Sequence, residues 1–317
     1  MQLERGRLGR MPPIKNYTEM LQAASLAGPV AVAVAGAEEY EILATASEAQ
    51  ARGIITAILV GDESQIREIA DRHQIDLTGM DVRSEPSATL AAETTMRLVA
   101  SGAARVAVKG QIQTSTFLHA ALRREAGLRT ERLISHVGVF EVPGFERLLF
   151  ITDGGVVLFP TLEQKAQIVS NAILVARALG IAEPRVALLA AADEVSANLP
   201  VTQEIAAVVG MQDRWREEKA WVDGPFALDT AVSEEAAQRQ GRLGPVAGRA
   251  DILVAPDVES GNIMAKGITY FAHGRMAGLV VGARAPLVVG SRADPPETRL
   301  VCVAAGALLA STADGRY

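Results

Sequence analysis

The sequence predicts an α/β protein built from two domains, and three observations lead to it. Short apolar runs rich in Val, Ile, Leu and Ala recur between longer helix-like segments, the alternation that feeds parallel strands through crossover helices. The residues are 49% hydrophobic but only 4% aromatic, the balance of a core made from aliphatic parallel strands. The 317 residues exceed what one compact core usually organises, at roughly 100–200 residues per domain.

Along the chain, residues 30–35 read as a first strand, followed by a helix to 52, a strand at 54–60 and a helix over 63–73. Gly53 and Gly61 punctuate the joins. A helix over 86–101, in which Leu90, Thr94, Arg97 and Leu98 show mixed helical spacing, leads to a strand at 105–108 and a loop opening at Lys109-Gly110. After a helix near 116–124, the runs 136–142 and 148–152 read as two strands of a hairpin, joined at the turn pair Pro143-Gly144. A helix over 161–179 stops at Gly180, a residue suited to the left-handed cap, and a strand at 186–191 follows. Helices near 201–209 and 229–239, a strand at 252–255 and a helix over 260–273 come next. Strands at 278–281 and 287–289 and a helix over 296–310 close the chain.

Charge and composition narrow the function. A formal net charge of −6 without any basic block argues against nucleic acid, whose backbone is held by clustered Lys and Arg. The opening MQLERGRLGR has no apolar run behind it, and the runs 277–283 and 285–290 fall well short of a membrane span. The one cysteine, Cys302, cannot form a disulfide within the chain and reads as a small core residue, so a reducing, cytoplasmic setting is expected. No spacing of His, Asp and Glu points to a metal. His73 and His273 read as surface residues near helix ends, and Trp215 and Trp221 as packing residues.

Four blocks carry a more specific signal: VKGQIQTSTFLHAAL from Val108, SHVGVFEVPGFERLLFITDGGV from Ser135, DGPFALDTAVSEEAA from Asp223, and DILVAPDVESGNIMAKGITYFAHGRMAGLVVGARAPLVVGSRADPPETRL from Asp251. In this order they resemble the phosphate acetyl/butyryltransferase family, and its butyryltransferase branch in particular. The resemblance implies two α/β domains with a cleft between them, related to the isocitrate and isopropylmalate dehydrogenases. It places residues 1–125 with 279–317 in a first domain and 126–278 in a second that forms a homodimer. It also implies exchange of a short acyl group between coenzyme A, as substrate, and inorganic phosphate, with no permanently bound cofactor. Two other classes stay open: a non-catalytic acyl-CoA-binding or regulatory protein, and a metal-dependent dehydrogenase of related fold, which would need an aspartate cluster.

Such a reaction needs a cationic seat for phosphate, a base for the thiol and donors for the oxyanion at the acyl carbon. Gly290-Ser291-Arg292-Ala293-Asp294 follows an expected strand, where α/β sheets place their binding loops. Arg292 is the candidate phosphate seat, because its planar fork makes paired charge-assisted hydrogen bonds. Ser291 matches the family's serine beside that arginine, and the resemblance implies a donor to the oxyanion or leaving thiolate in a direct ternary-complex reaction. Related acetyltransferases place an aspartate several residues later, where this chain has Glu297 and Thr298; Asp294 and Glu297 are both candidates for the base. Lys109, Gly110, Thr114 and Ser115 open a helix after a strand, an arrangement that binds anions through backbone N–H groups or caps the helix. His119 stands where relatives often carry a basic residue. Asn262 and Lys266 lie four apart on one helix face and by resemblance face the coenzyme, the alternative being a cap and a solvated lysine. Asp223 and Asp229 read as coenzyme contact or turn.

Overall fold

The computed structural model describes residues 12–290 and 295–312. In chain order it contains α1 (Tyr17–Ala27), β1 (Val30–Ala35), α2 (Tyr40–Ala51), β2 (Ile55–Gly61), α3 (Glu63–His73), β3 (Asp81–Ser84), α4 (Ala88–Ala100), β4 (Val106–Lys109) and α5 (Thr114–Leu122). Then follow β5 (Ser135–Glu141), β6 (Leu149–Thr152), α6 (Leu162–Ala178), β7 (Arg185–Leu189), α7 (Pro200–Val209), α8 (Gln212–Glu217) and β8 (Trp221–Phe226). The chain continues through α9 (Leu228–Val232), α10 (Glu234–Arg239), β9 (Ile252–Val254), α11 (Val258–Phe271), β10 (Arg275–Val281), β11 (Leu287–Val288) and α12 (Pro296–Thr312). These elements fall into two compact units, Tyr17–Arg132 with the chain from Ala277 onward, and Leu133–Met276 with the residues just ahead of Tyr17.

In the first unit the strands run β3-β2-β1-β4-β11-β10. β1 is parallel to β2 and to β4, β4 is parallel to β11, and only β10 runs antiparallel to β11. The carboxyl ends of β1, β4 and β11 therefore share one edge, with Ala35 level with Lys109 and Val108 level with Val288. α12 packs on α1, α2 and these three strands. Its residues from Thr298 to Ala310 are all buried, and Gly306 makes that seat possible, since a Cβ there would lie 2.6 Å from Val288 Cγ2. Cys302 is a buried core residue of this helix.

In the second unit the order is β5-β6-β9-β7-β8. β5 and β6 form the expected antiparallel pair, Val139 opposite Phe150, and the other neighbours are parallel. Alternate strand residues such as Phe140, Leu149, Ile151 and Leu253 close on Phe226 in a core to which Met264 and Ile268 of α11 add; burying one such side chain contributes about 1.5–3 kcal/mol. α6 begins in a capping box in which Thr161 Oγ1 accepts from Gln164 N and Gln164 Oε1 accepts from Thr161 N, and it ends before Gly180 at φ +90°.

The sheet is mixed rather than wholly parallel, and several elements differ from the sequence reading. α1 was not expected, although Tyr17, Met20 and Ala24 recur at helical spacing and are its buried residues. β3 carries almost wholly exposed residues and so no apolar pattern. β8 was obscured by Gly224-Pro225, which reads as a turn; proline is tolerated there because β8 is an edge strand. The helix expected over 229–239 is two helices, broken at Ser233, whose Oγ accepts from Ala236 N and restarts the second. Trp215 packs as expected and donates to Val208 O. Trp221, by contrast, is 51% exposed, because the first residue of that edge strand has no layer above it. His73 and His273 are exposed at or beside helix ends.

Candidate active site

Two glycines shape the carboxyl edge of the first unit. Gly36 turns the chain after β1 at φ +73°, and Gly110 lies so close to it that a Cβ on Gly110 would sit 2.1 Å from Gly36 O and 2.8 Å from Ala35 O. The loop is stitched in place by Gly110 N donating to Ala35 O and Gln111 N to Gly36 O. Lys109 ends β4 with its side chain buried, Nζ donating to Gly110 O at 3.2 Å and Ile112 O at 3.4 Å. The buried guanidinium of Arg299 donates from Nη1 to Glu39 Oε2 at 3.1 Å. Lys109, Gly110, Gly290, Glu39 and Arg299 line one pocket, so the chain enters the Ser291–Asp294 segment from the wall of a recess with two buried cations.

Ser291, Arg292 and Asp294 themselves lie outside the described residues. Glu297 is exposed on the first turn of α12, and Thr298 beside it is buried. Thr114 and Ser115 are exposed at the first two positions of α5, and its N-cap residue, Gln113, makes no side-chain cap. The capping alternative for this pair is therefore not what the structure shows. His119 is exposed further along α5.

In the second unit, Asp153 follows β6 and is 4% exposed. Its Oδ1 accepts from Gly155 N and Val156 N, and its Oδ2 from His136 N and Val157 N. α11 approaches this loop so closely that a Cβ on Gly261 would lie 2.3 Å from Asp153 O. Asn262 Nδ2 donates to Gly154 O at 3.0 Å, and Lys266 is exposed one turn on. Asn262 is not the cap: Asp257 is, accepting from Ser260 N and Oγ, bonds that hold its carboxyl below the ordinary aspartate range. Asp223 accepts from Gly224 N and faces Arg242 at 3.8 Å, while Arg242 donates to Pro225 O and stacks over Phe226. That block is a structural knot.

Sequence reasoning missed Glu39 and Arg299, although an arginine at the head of an otherwise apolar helix was a signal. It also passed over Glu38, whose carboxyl is pushed up by burial and whose Oε2 has no hydrogen-bond partner among the described residues. His136 is a third omission. Its Nδ1 is buried without a partner among the described residues, and burial pulls the imidazole down, partly opposed by the Asp153 carboxylate.

A family model described as "Phosphate acetyl/butaryl transferase" matches residues 87–307. The chain belongs to that family. It is 43% identical over 300 residues to a phosphate butyryltransferase of Clostridium beijerinckii, covering 94% of this chain and 98% of the relative. It is 42% identical over 295 residues to a phosphate acetyltransferase of Rhizobium meliloti, covering 93% of each. Among solved structures, a branched-chain phosphotransacylase from Enterococcus faecalis V583 superposes with a TM-score of 0.78 at 30% identity, over 89% of this chain and 99% of that one. A 4-hydroxythreonine-4-phosphate dehydrogenase from Klebsiella pneumoniae reaches a TM-score of 0.57 at 13% identity over 89% of this chain and 99% of that one, a likeness of fold alone. The protein is thus an acyltransferase that exchanges acyl groups between coenzyme A and phosphate, and the family match sets aside the dehydrogenase reading.

Two expectations follow for this transferase. In Gly110→Ala the new methyl group meets backbone oxygens that cannot yield without moving the loop. Stability should fall by about 1–3 kcal/mol, and turnover by up to ~10²-fold if Lys109 shifts by an ångström. Thermal melting with thiol-release kinetics checks both. For His136 the folded state holds the proton more weakly than the unfolded chain, whose value is 6.5. As pH falls through that value the unfolded state binds more protons, so stability falls with pH, by at most ~1.4 kcal/mol between about pH 7.5 and about pH 5.5. Melting of wild type and His136→Gln at the two pH values tests this; an equal drop in both would show that other groups cause it.

Proposed function

We propose that the protein transfers a butyryl-type short acyl group between coenzyme A and inorganic phosphate at the carboxyl edge of β1, β4 and β11. The observation that carries this reading is the pocket shared by Lys109, Gly110, Gly290 and Arg299, at the threshold of Ser291-Arg292. Arg292 seats the phosphate dianion, and Lys109 adds fixed positive charge beside it. Gly110 lets the loop approach the substrates, and the uncapped first turn of α5, with the Thr114 and Ser115 hydroxyls, offers donors to anionic oxygens. A phosphate oxygen attacks the acyl carbon, Ser291 donates to the developing oxyanion, the C–S bond breaks, and the coenzyme leaves as thiolate to take a proton. Asp294 or Glu297 supplies that proton, and in reverse one of them removes it from the thiol. Asn262 and Lys266 contact the coenzyme from α11, Asn262 held ready by its bond to Gly154 O.

The same reading makes the protein a cytoplasmic homodimer with no permanently bound cofactor. α11 supports the dimer: only Gly261 of its residues is buried, and Ile263, Tyr270 and Phe271 are 71%, 64% and 90% exposed, more apolar surface than a free helix face usually shows. The lone buried Cys302 suits a reducing compartment. The architecture is read as that of the isocitrate and isopropylmalate dehydrogenases, each compact unit being one domain.

The test is release of free thiol from acetyl-, propionyl- and butyryl-CoA with and without phosphate. Phosphate-dependent release, fastest with butyryl-CoA, is expected; no release from any of them despite measurable coenzyme A binding would overturn the reading and leave a binding role.

A further inference from the structure

Behind the cationic mouth, the same pocket continues inward between the strands and two helices. Its walls are Val32 and Val34 of β1, Ile42 and Ala46 of α2, and Cys302 and Val303 of α12. The recess holds a cavity of about 40 Å³ and widens to solvent at its mouth. Interiors are normally close-packed, yet among the described residues no aromatic, leucine or methionine side chain lines this space. It also runs deep: from Lys109, level with Ala35, to Val32 is three residues along β1, about 10 Å at ~3.3 Å per residue. Thr45 also lines the recess, its hydroxyl donated to Glu41 O, and phosphate, the phosphoanhydride and the adenine of coenzyme A have no part that fits a slot otherwise walled by aliphatic side chains. An unbranched or branched alkyl chain does, with its carbonyl left at the mouth beside Lys109 and Arg299.

We infer that this recess is the acyl-chain pocket of the transferase, and that Ala46, Ile42 and Cys302 set the chain length it accepts. The inference rests on the reading of the active site given above and deepens it. An acetyl group fills only the mouth and leaves the apolar wall unused; a four- or five-carbon chain buries itself against Val34, Ala46 and Val303. The Arg299–Glu39 pair joins α12 to the segment ahead of α2 at the entrance, fixing the spacing of the two helices that form the walls.

The experiment compares kcat/KM for acetyl-, butyryl- and hexanoyl-CoA in wild type, Ala46→Leu, Cys302→Leu and Ile42→Ala. One methylene in an apolar pocket is worth roughly 10–200-fold in discrimination. The butyryl-to-acetyl ratio should therefore fall at least ~10-fold in the two filled variants, and the hexanoyl-to-butyryl ratio should rise in the widened one. Unchanged ratios in folded variants overturn the inference; should the filled variants not fold, Ile42→Ala carries the test alone. A second readout does not depend on turnover. Cys302 is the one cysteine of the chain, so its labelling by methyl methanethiosulfonate can be followed on the intact wild-type protein by mass spectrometry. Butyryl-CoA should slow that labelling about tenfold more than coenzyme A does, and equal protection by the two overturns the assignment. If wild type releases no thiol from any acyl-CoA, the transferase reading fails, and the protection experiment still decides whether the recess holds the chain.

Discussion

Arg292→Ala should lower phosphate-dependent thiol release from butyryl-CoA by at least ~10²–10³-fold, the loss seen when even a neutral donor to developing negative charge is removed from a preorganised site. The reason is electrostatic. Phosphate is a dianion that must approach an electrophilic carbon closely while a second negative charge develops on the acyl oxygen. Lys109 and Arg299 are both engaged with neighbouring groups at the rim, the lysine with the Gly110 and Ile112 carbonyls and the arginine with Glu39. Lysine has no bidentate fork and the Arg299 guanidinium is engaged with Glu39, so paired donation to phosphate is the role proposed for Arg292. Arg292→Lys should restore only part of the activity, because an ammonium supplies charge without the paired geometry. Steady-state kinetics with phosphate and acyl-CoA varied independently make the check. The loss should appear in KM for phosphate and in kcat, with coenzyme A affinity little altered; turnover within about threefold of wild type would remove Arg292 from the phosphate seat.

The second large effect is on stability. Asp153→Ala should destabilise the protein by ~3 kcal/mol, a drop in melting temperature of roughly 6–12 °C for a unit of this size. The carboxylate is almost wholly buried and accepts from the four backbone donors of His136, Gly155, Val156 and Val157. Each donor left unsatisfied in the interior costs about 1–3 kcal/mol, moderated where water enters. The loop it organises is also the one that Gly261 abuts and that Asn262 grips through Gly154 O, so weaker coenzyme A binding should accompany the lower melting temperature. Asp153→Asn, which keeps one acceptor oxygen, should fall between. Thermal melting with calorimetric titration of coenzyme A measures both, and an unchanged melting temperature would show that the loop keeps its form without the carboxylate.

Much of the fold was legible in the residues because its elements are locally self-consistent. The first strand, the helix over Glu63–His73 and the long α6 with its capping box and Gly180 each carry their own start, stop and periodicity. β3 and β8 were not legible, because an exposed or proline-bearing edge strand is held by its neighbour's hydrogen bonds and has no face to bury. The site divides in the same way. The candidate motif Gly290-Ser291-Arg292 and the candidate Lys109-Gly110 loop could be proposed from residue type, position after a strand and the family resemblance. Glu38, Glu39, Arg299, His136 and Asp153 could not, since what marks each is the company it keeps across the fold.

By itself, then, the sequence determined the α/β class and the succession of most elements, which follow from short-range pattern, and the family and type of chemistry, which follow from the resemblance of its four blocks. Only the tertiary structure decided which residues meet. It brought Lys109 from one strand end, Gly290 from another and Arg299 from the final helix to one mouth, separated by up to 190 positions along the chain. It also left an aliphatic recess behind that mouth. Those juxtapositions depend on parallel strands that align distant segments at one edge and on helices whose small side chains leave a gap, and neither is a property of any local stretch of residues.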